Sequence, residues 1–350
     1  MNKLHSERLK RALIAMTHPK LVEDRVRRAA SFYFGTVDEE KIASFINGAR
    51  SAMVLHDWTA REYFEYGYAN LTCKERSHFV TLYQYHAFVK EVQDEKAISL
   101  LADKWSCYQF LKDFYGRKAV MLPVGEEPPE SLYERFQQFI GQCSKHRFFL
   151  KPLSKEGGNG ICRIDSGDYA TFEAFMNVLQ QYSSRIIVEE EICQAESLAH
   201  FHPQSVNSIR MHTIRFNDGV HAFMPYLKLG CGSAIVDNAH SGGIKAILDM
   251  ETGVVTSMRD VMNRTYSVHP DTKSSAVGFQ VPRWQELIDL TKQLHTRFDR
   301  IRLVGWDMAL TDEGWIVVEA NSDPGIYALQ RDFYDEFCWI KNKYRSESKC

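Results

Sequence analysis

Short apolar runs punctuated by glycine-bearing polar turns fill the second half of this chain, and they restrict it to antiparallel sheet. Segments 208–216 and 220–229 flank Asn217-Asp218-Gly219, and segments 244–248 and 254–255 flank Glu251-Thr252-Gly253. The run Val304-Gly305-Trp306-Asp307-Met308-Ala309-Leu310 turns at Asp312-Glu313-Gly314 and returns as Trp315-Ile316-Val317-Val318-Glu319-Ala320-Asn321. Turn residues of this kind reverse the chain within a few positions and pair the flanking runs as β-hairpins. Upstream, segments 147–152, 160–164 and 185–189 read as further short strands, with helical spacing over 171–182 and again over 283–299.

The first hundred residues have a different texture. Leu9, Leu13, Ile14, Met16, Phe45, Val54, Leu55, Phe64, Phe79, Leu82, Phe88, Val89 and Val92 recur at three- and four-residue steps, the mark of helices with one apolar face. The cluster Trp58, Tyr63, Phe64, Tyr66, Tyr68 supplies large area for a core. Residues after Lys341 are expected to fray.

Composition narrows the function classes. A formal net charge of −2 over 350 residues provides no field that draws the chain to nucleic acid. The polar start lacks a signal-peptide core, and no run reaches the ~18–20 apolar residues of a membrane span. Eight cysteines without a Cys-x-x-Cys pair argue against a zinc site or a disulfide framework and point to a reduced cytoplasm.

The last hairpin carries the densest chemistry. Glu319 and Asn321 lie two apart on one strand and so share a face, and Asp307 lies within the partner strand. Two carboxylates and an amide oxygen suit a hard cation such as Mg²⁺. A capping Asp307 and a solvent-facing Glu319 are the alternative.

Lys151 ends an apolar strand and precedes Pro152-Leu153-Ser154-Lys155-Glu156-Gly157-Gly158-Asn159-Gly160. Glycines let backbone N–H groups approach phosphate oxygens, and the lysine adds a point charge. The loop is neither a Walker nor a dinucleotide motif, and a plain hairpin turn fits it equally well. Val188-Glu189-Glu190-Glu191-Ile192 places three acids directly after a strand. Its backbone suits a purine edge and Glu196 a ribose, or the acids are simply solvated. In Ser205-Val206-Asn207-Ser208-Ile209-Arg210-Met211-His212, Arg210 and His212 share one strand face, and Arg210 suits bidentate recognition of phosphate or carboxylate. Asp237-Asn238-Ala239-His240-Ser241-Gly242-Gly243 combines donors with paired glycines that admit a ligand, and His240 is either a base or structural.

In this order the segments resemble the ATP-grasp superfamily. The stretches 205–210 and 237–244 together with Gly305-Trp306-Asp307 resemble more closely its sugar-transfer-associated family, which is linked to bacterial polysaccharide biosynthesis. The resemblance covers roughly residues 100–330. It implies an α+β ATP-grasp fold, two α+β subdomains clasping ATP, behind a helical N-terminal region. The implied division is a helical region at 1–100, a small subdomain with the Gly-rich loop at 101–193, a C-terminal subdomain with the Mg²⁺ site at 194–335, and a tail at 336–350.

By the same resemblance Lys151 contacts the α/β-phosphates, Lys104 matches the upstream nucleotide-contacting lysine, and Gly157, Gly158 and Gly160 form a lid over the phosphates. Glu189, Glu191 and Ile192 form the adenine hinge, and Glu196 reaches the ribose. Arg210 and Lys151 are the expected catalytic residues, with Arg210 steadying the transferring phosphoryl group or the acyl-phosphate. Asp307, Glu319 and Asn321 hold one or two Mg²⁺ ions. Asn207, Asn238, His240, Ser241, Gly242 and Gly243 are expected on the substrate side. The implied activity is ligation of a small-molecule or sugar-linked carboxylate to an amine through an acyl-phosphate. A phosphotransferase acting on a hydroxyl or a histidine, with His240 or His212 prominent, and an inert nucleotide-binding module are the alternatives. Many relatives carry an α/β unit ahead of the nucleotide-binding region, where this chain reads as helical.

Overall fold

The computed structural model describes residues 3–153, 160–237, 242–260, 262–326 and 329–348. The N-terminal helices are α1 (Lys3–Thr17), α2 (Pro19–Phe34), α3 (Glu39–His56), α4 (Ala60–Glu65), α5 (Cys73–Ser77) and α6 (Leu82–Val92). Thr59, Thr72 and Thr81 start α4, α5 and α6 with capping boxes, each hydroxyl accepting from the third residue's N–H while Glu62, Glu75 or Gln84 reaches back. Val26, Ala49, Ala52, Trp58 and Phe79 form the core of this unit, with the Trp58 and Phe79 rings stacked 4.1 Å apart.

Helices α7 (Ser99–Ala102) and α8 (Lys104–Leu111) lead into the first sheet. Its strands are β1 (Ala119–Leu122), β2 (Arg147–Pro152), β3 (Cys162–Asp165) and β4 (Ile186–Glu190), in the order β1-β4-β2-β3 and antiparallel throughout. Helices α9 (Pro129–Gly141) and α10 (Phe172–Leu179) bury Phe136 and Phe175 with Leu150, Ile164, Ile186 and Val188 of the strands.

After α11 (Glu196–Ala199) the chain builds a seven-stranded antiparallel sheet in the order β11-β10-β5-β6-β7-β8-β9. Its strands are β5 (Ile209–Phe216), β6 (Gly219–Leu229), β7 (Ile244–Leu248), β8 (Val255–Arg259), β9 (Thr265–Tyr266), β10 (Leu303–Leu310) and β11 (Trp315–Asn321). Helix α12 (Trp284–Thr296) lays Trp284, Leu287, Ile288 and Leu294 against one face, at the spacing of a single helical stripe. Each such side chain contributes about 1.5–3 kcal/mol when fully buried. The Trp306 indole N–H donates to Thr213 Oγ1 at 2.7 Å, and that hydroxyl also meets His295 Nδ1 at 2.7 Å. This ties β10 and β5 to α12 one residue away from Asp307.

The opposite face has two parts. At one end, α6 and α13 (Tyr334–Glu347) bury Phe88, Phe337 and Ile340 against Ile214, Phe223 and Leu303. Toward the other end the same face carries charge, and there the site lies. The segment expected to fray after Lys341 is instead helical to Glu347. Phe337 and Ile340 anchor the helix, and Arg345 pairs with Glu91 of α6 at 2.6 Å. Among the described residues no helix is long and apolar enough to cross a membrane.

Candidate active site

The ladder places Glu319 opposite Asp307, and Asp307 opposite Arg210, so three charged side chains share one face across β11, β10 and β5. Asn321 pairs with Gly305 two positions along. The register slips after Asp307, leaving Val318 as an extra residue on β11. Arg210 grips Asp307 with two bonds, Nε to Oδ1 at 2.6 Å and a terminal nitrogen to Oδ2 at 3.0 Å. Lys228 Nζ lies 3.2 Å from Asp307 Oδ2 and 3.2 Å from Asp237 Oδ1. Asp237 in turn accepts from the Ser208 N–H at 2.9 Å and from the Ser208 hydroxyl. Lys104, at the start of α8, reaches Glu319 Oε1 at 2.8 Å.

The electrostatics follow from burial in company. Burial alone would raise the Asp307 carboxyl, but Arg210 and Lys228 outweigh it and hold it well below the usual carboxylate range. Burial would likewise lower Arg210 and Lys228, and their carboxylate neighbours raise both instead. Three carboxylates (Asp307, Asp237, Glu319) thus stand against three basic side chains (Arg210, Lys228, Lys104). His212, two residues from Arg210, is pushed down to about 3 by burial and then by Arg210. It is fully buried, and its Nδ1–H donates to the Met224 carbonyl at 3.0 Å.

The small sheet contributes a second cluster. Glu189, in the middle of β4, receives Lys151 Nζ at 2.7 Å and Arg117 at 2.9 and 3.1 Å, all on Oε2. Burial works to raise this carboxyl, but Arg117 and Lys151 bring it down to about 2. Arg117 also donates to the carbonyls of Val317 at 2.7 Å and Val318 at 3.1 Å. The bulge on β11 is therefore held by the same guanidinium that neutralises β4, and the two clusters are joined through Arg117. Beyond Glu189 the chain crosses to the large sheet, where the Ala195 N–H donates to the Leu310 carbonyl at 2.7 Å.

The sequence-derived residues divide accordingly. Asp307, Glu319, Arg210 and Lys104 come together on the large-sheet side, and Lys151 and Glu189 on the other. Glu191 is half-buried and pairs with Arg147 at 3.1 Å, Ile192 is half-buried, and Glu196 is exposed at the start of α11. Asn207 is fully buried, its amide donating to the Leu198 and His202 carbonyls at 2.9 and 3.1 Å and its Oδ1 accepting from Gly230 N–H at 3.4 Å. Those bonds shape the loop before β5 from inside. Gly160 and Gly242 sit in turns at φ 77° and 89°, and Gly243 is buried beside β7. Gly157, Gly158, Asn238, His240 and Ser241 lie outside the described residues.

An oxygen-only set of two carboxylates and an amide fits Mg²⁺ in kind. The Asn321 Nδ2 is buried without a hydrogen-bond partner among the described residues, and a half-turn of the amide presents Oδ1 there instead. No group of three or more His, Cys, Asp and Glu residues converges as a metal cluster among the described residues. Cations of the protein hold those carboxylates, so an incoming ion must compete with Arg210, Lys228 and Lys104. Reading the sequence alone missed Arg117 and Lys228, and gave Asp237 no role of its own within the segment it begins. A lysine inside the apolar run Tyr226-Leu227-Lys228-Leu229 is a usable signal, whereas Arg117 carries none, since its partners come from strands about 70 and 200 residues away.

The family model described as sugar-transfer associated ATP-grasp matches residues 83–331. No curated protein matches. Similar solved structures include the D-alanine-D-alanine ligase from Coxiella burnetii, at 12% identity over 73% of this chain and 64% of that one, TM-score 0.39. The D-alanyl-alanine synthetase A from Vibrio cholerae O1 biovar eltor strain N16961 is similar at 12% identity over 71% of this chain and 66% of that one, TM-score 0.45. The carboxyaminoimidazole ribonucleotide synthase from Aspergillus clavatus, complexed with ATP, is similar at 13% identity over 65% of this chain and 46% of that one, TM-score 0.39. The chain spans less than two thirds of the length of each of these three.

Proposed function

Because the chain belongs to the sugar-transfer-associated ATP-grasp family, we propose that it is an ATP- and Mg²⁺-dependent ligase joining a carboxylate to an amine. The observation that carries this reading is the pair of buried and half-buried charge clusters, Lys151–Glu189–Arg117 on the small sheet and Lys104–Glu319 with Arg210–Asp307–Lys228 on the large one. Residues 101–193 and 194–335 are the two subdomains of this reading, with ATP held between them. Gly157, Gly158 and Gly160 cover the phosphates, Glu189, Glu191 and Ile192 form the hinge at the adenine, and Glu196 meets the ribose.

The substrate carboxylate attacks the γ-phosphorus, the bond to the β-phosphate oxygen breaks, and ADP leaves. The amine then attacks the acyl carbon, the bond to phosphate breaks, and the amine nitrogen gives up a proton. Lys104 and Lys151 neutralise the nucleotide phosphates, and Arg210, made rigid by its two bonds to Asp307, steadies charge on the transferring group. Mg²⁺ held by Asp307, Glu319 and Asn321 would screen phosphate charge when bound. Asn238, His240, Ser241, Gly242 and Gly243 are placed by this reading beside the substrate, with Asn207 bracing the neighbouring loop. A surface-polysaccharide component, such as a sugar acid joined to an amino acid, is the acceptor class of this reading, in keeping with a family description that names sugar transfer, and a cytoplasmic location accords with the need for ATP.

A phosphotransferase is less well supported, because His212 is fully buried and its Nδ1 is already bonded. Purified protein with ATP, Mg²⁺, hydroxylamine and a panel of carboxylic acids tests the choice. Hydroxamate and ADP in equal amounts are expected from the right acid. A phosphorylated product without hydroxamate would sink the ligase reading in favour of a kinase, and ATP binding without ADP release across the panel would favour an inert module.

A further inference from the structure

The N-terminal helices line an open cavity of about 640 Å³ that the proposed ATP site does not use. That volume is within the ~300–1,000 Å³ range of small-molecule pockets. Ile14, Val22, Phe32 and Trp58 give it apolar walls, and four arginines (Arg11, Arg25, Arg28, Arg61) open onto it. Asp57 is the one carboxylate among its described lining residues, and Arg11 already holds both of its oxygens, at 2.8 and 2.6 Å. Arg61 lies 3.4 Å from the buried Glu65. No carboxylate among the described residues pairs with Arg25 or Arg28, both exposed, although Arg27 beside them pairs with Glu23 and Glu39. The excess is regional: residues 3–34 carry eight Lys and Arg against three Asp and Glu, in a chain of net charge −2.

Apolar walls and unneutralised guanidiniums ask for different halves of one ligand. A neutral hydrocarbon leaves the arginines without counter-charge, and a compact anion leaves the walls wet. Arg25 and Arg28 are three apart on α2 and therefore on one side of it, able to meet a single head group. We propose that this cavity binds a single-chain amphiphilic anion, its hydrocarbon chain against Ile14 and Phe32 and its phosphate or carboxylate head at Arg25 and Arg28. Arg61 leads through Glu65 to Lys245, which pairs across the ladder with Lys228 on the face bearing Asp307.

Isothermal titration of the full chain with dodecyl phosphate, kept below its micelle concentration, tests the assignment. Saturable binding of one molecule per chain is expected, weakened at least about tenfold in Arg25→Glu/Arg28→Glu. Dodecanol and inorganic phosphate should each bind at least about tenfold more weakly than the amphiphile. Ala29→Trp, which fills the cavity, should abolish binding, while the exposed double arginine variant keeps its ATP affinity and so reports on a folded protein. No saturable heat, unchanged affinity in the arginine variant, or inorganic phosphate binding as tightly as dodecyl phosphate would overturn the proposal. So would arginine-dependent sedimentation with phosphatidylglycerol vesicles in the absence of dodecyl phosphate binding, which would assign the basic helices to a membrane surface.

Discussion

Replacing Arg117 with methionine probes the connection between the two charge clusters. In the folded protein this guanidinium donates to Glu189 at 3.1 and 2.9 Å, and to the carbonyls of Tyr115 at 3.0 Å, Val317 at 2.7 Å and Val318 at 3.1 Å. The side chains of Arg117 and Glu189 are 2% and 6% exposed, so solvent does not screen the pair. Removing one partner of such a buried pair costs about 3–5 kcal/mol, because the other charge is left uncompensated. The protonation behaviour gives a similar figure. Burial works to raise Glu189, yet Arg117 and Lys151 hold it near 2 against an ordinary 4.5. At about 1.36 kcal/mol per unit, that difference is roughly 3 kcal/mol left over after Arg117 and Lys151 together have offset the burial cost, so Arg117 alone contributes on that order. A carboxyl lowered on folding stabilises above its unfolded value of 4.5, and the contribution disappears as pH falls through about 2. Urea unfolding followed by tryptophan fluorescence should therefore show Arg117→Met less stable by roughly 3 kcal/mol at pH 7, with the deficit shrinking between pH 4.5 and 2. Adding Glu189→Gln should restore at least about 1 kcal/mol of that loss. A loss below about 1 kcal/mol at pH 7, or one that does not change with pH, refutes the reasoning.

Other perturbations probe single positions. Lys151→Ala should weaken ATP binding at least about tenfold by calorimetry, since a phosphate-facing charge is lost; unchanged affinity would remove Lys151 from the nucleotide site. Asp307→Asn and Glu319→Gln should each reduce Mg²⁺-dependent ADP release at least about a hundredfold, and full activity in either variant would dismiss the metal assignment. Glu62, fully buried and pushed up to about 7 by that burial despite bonds from the Thr59 and Leu82 N–H groups, has its carboxyl raised on folding. Its contribution to stability is present below pH 4.5 and lost as pH rises through about 7, so Glu62→Gln should flatten the unfolding midpoint over that interval, and an unaltered pH profile would count against it. Gly305→Ala would bring a Cβ within 2.3 Å of Pro324 Cβ, in a loop whose Pro324 carbonyl accepts from Tyr85 at 2.6 Å. It should cost about 1–3 kcal/mol by thermal unfolding, and a neutral result would show that the loop yields freely.

Local sequence was sufficient wherever the physics is local. The turn residues at 217–219 and 312–314 set the hairpins, three-residue and four-residue apolar spacing set the N-terminal helices and α12, and alternation along 205–212 put Arg210 and His212 on one face. The order of Lys151, the 189–196 segment, Arg210 and the Asp307 hairpin carried the family. Tertiary structure decided what no spacing encodes, namely which charges end up buried together. Lys228 lies 3.2 Å from Asp307, about 80 positions away, because β6 is bonded beside β5, which is bonded beside β10. Arg117 joins β4 to the β11 bulge across separations of about 70 and about 200 residues. Coulomb energy depends on distance in space and on the water excluded around each pair, and both are fixed only when the two sheets pack. The sequence thus specified most of the strands, though not β1 or β9, and most residue types of the site, and the packed fold specified its charge balance.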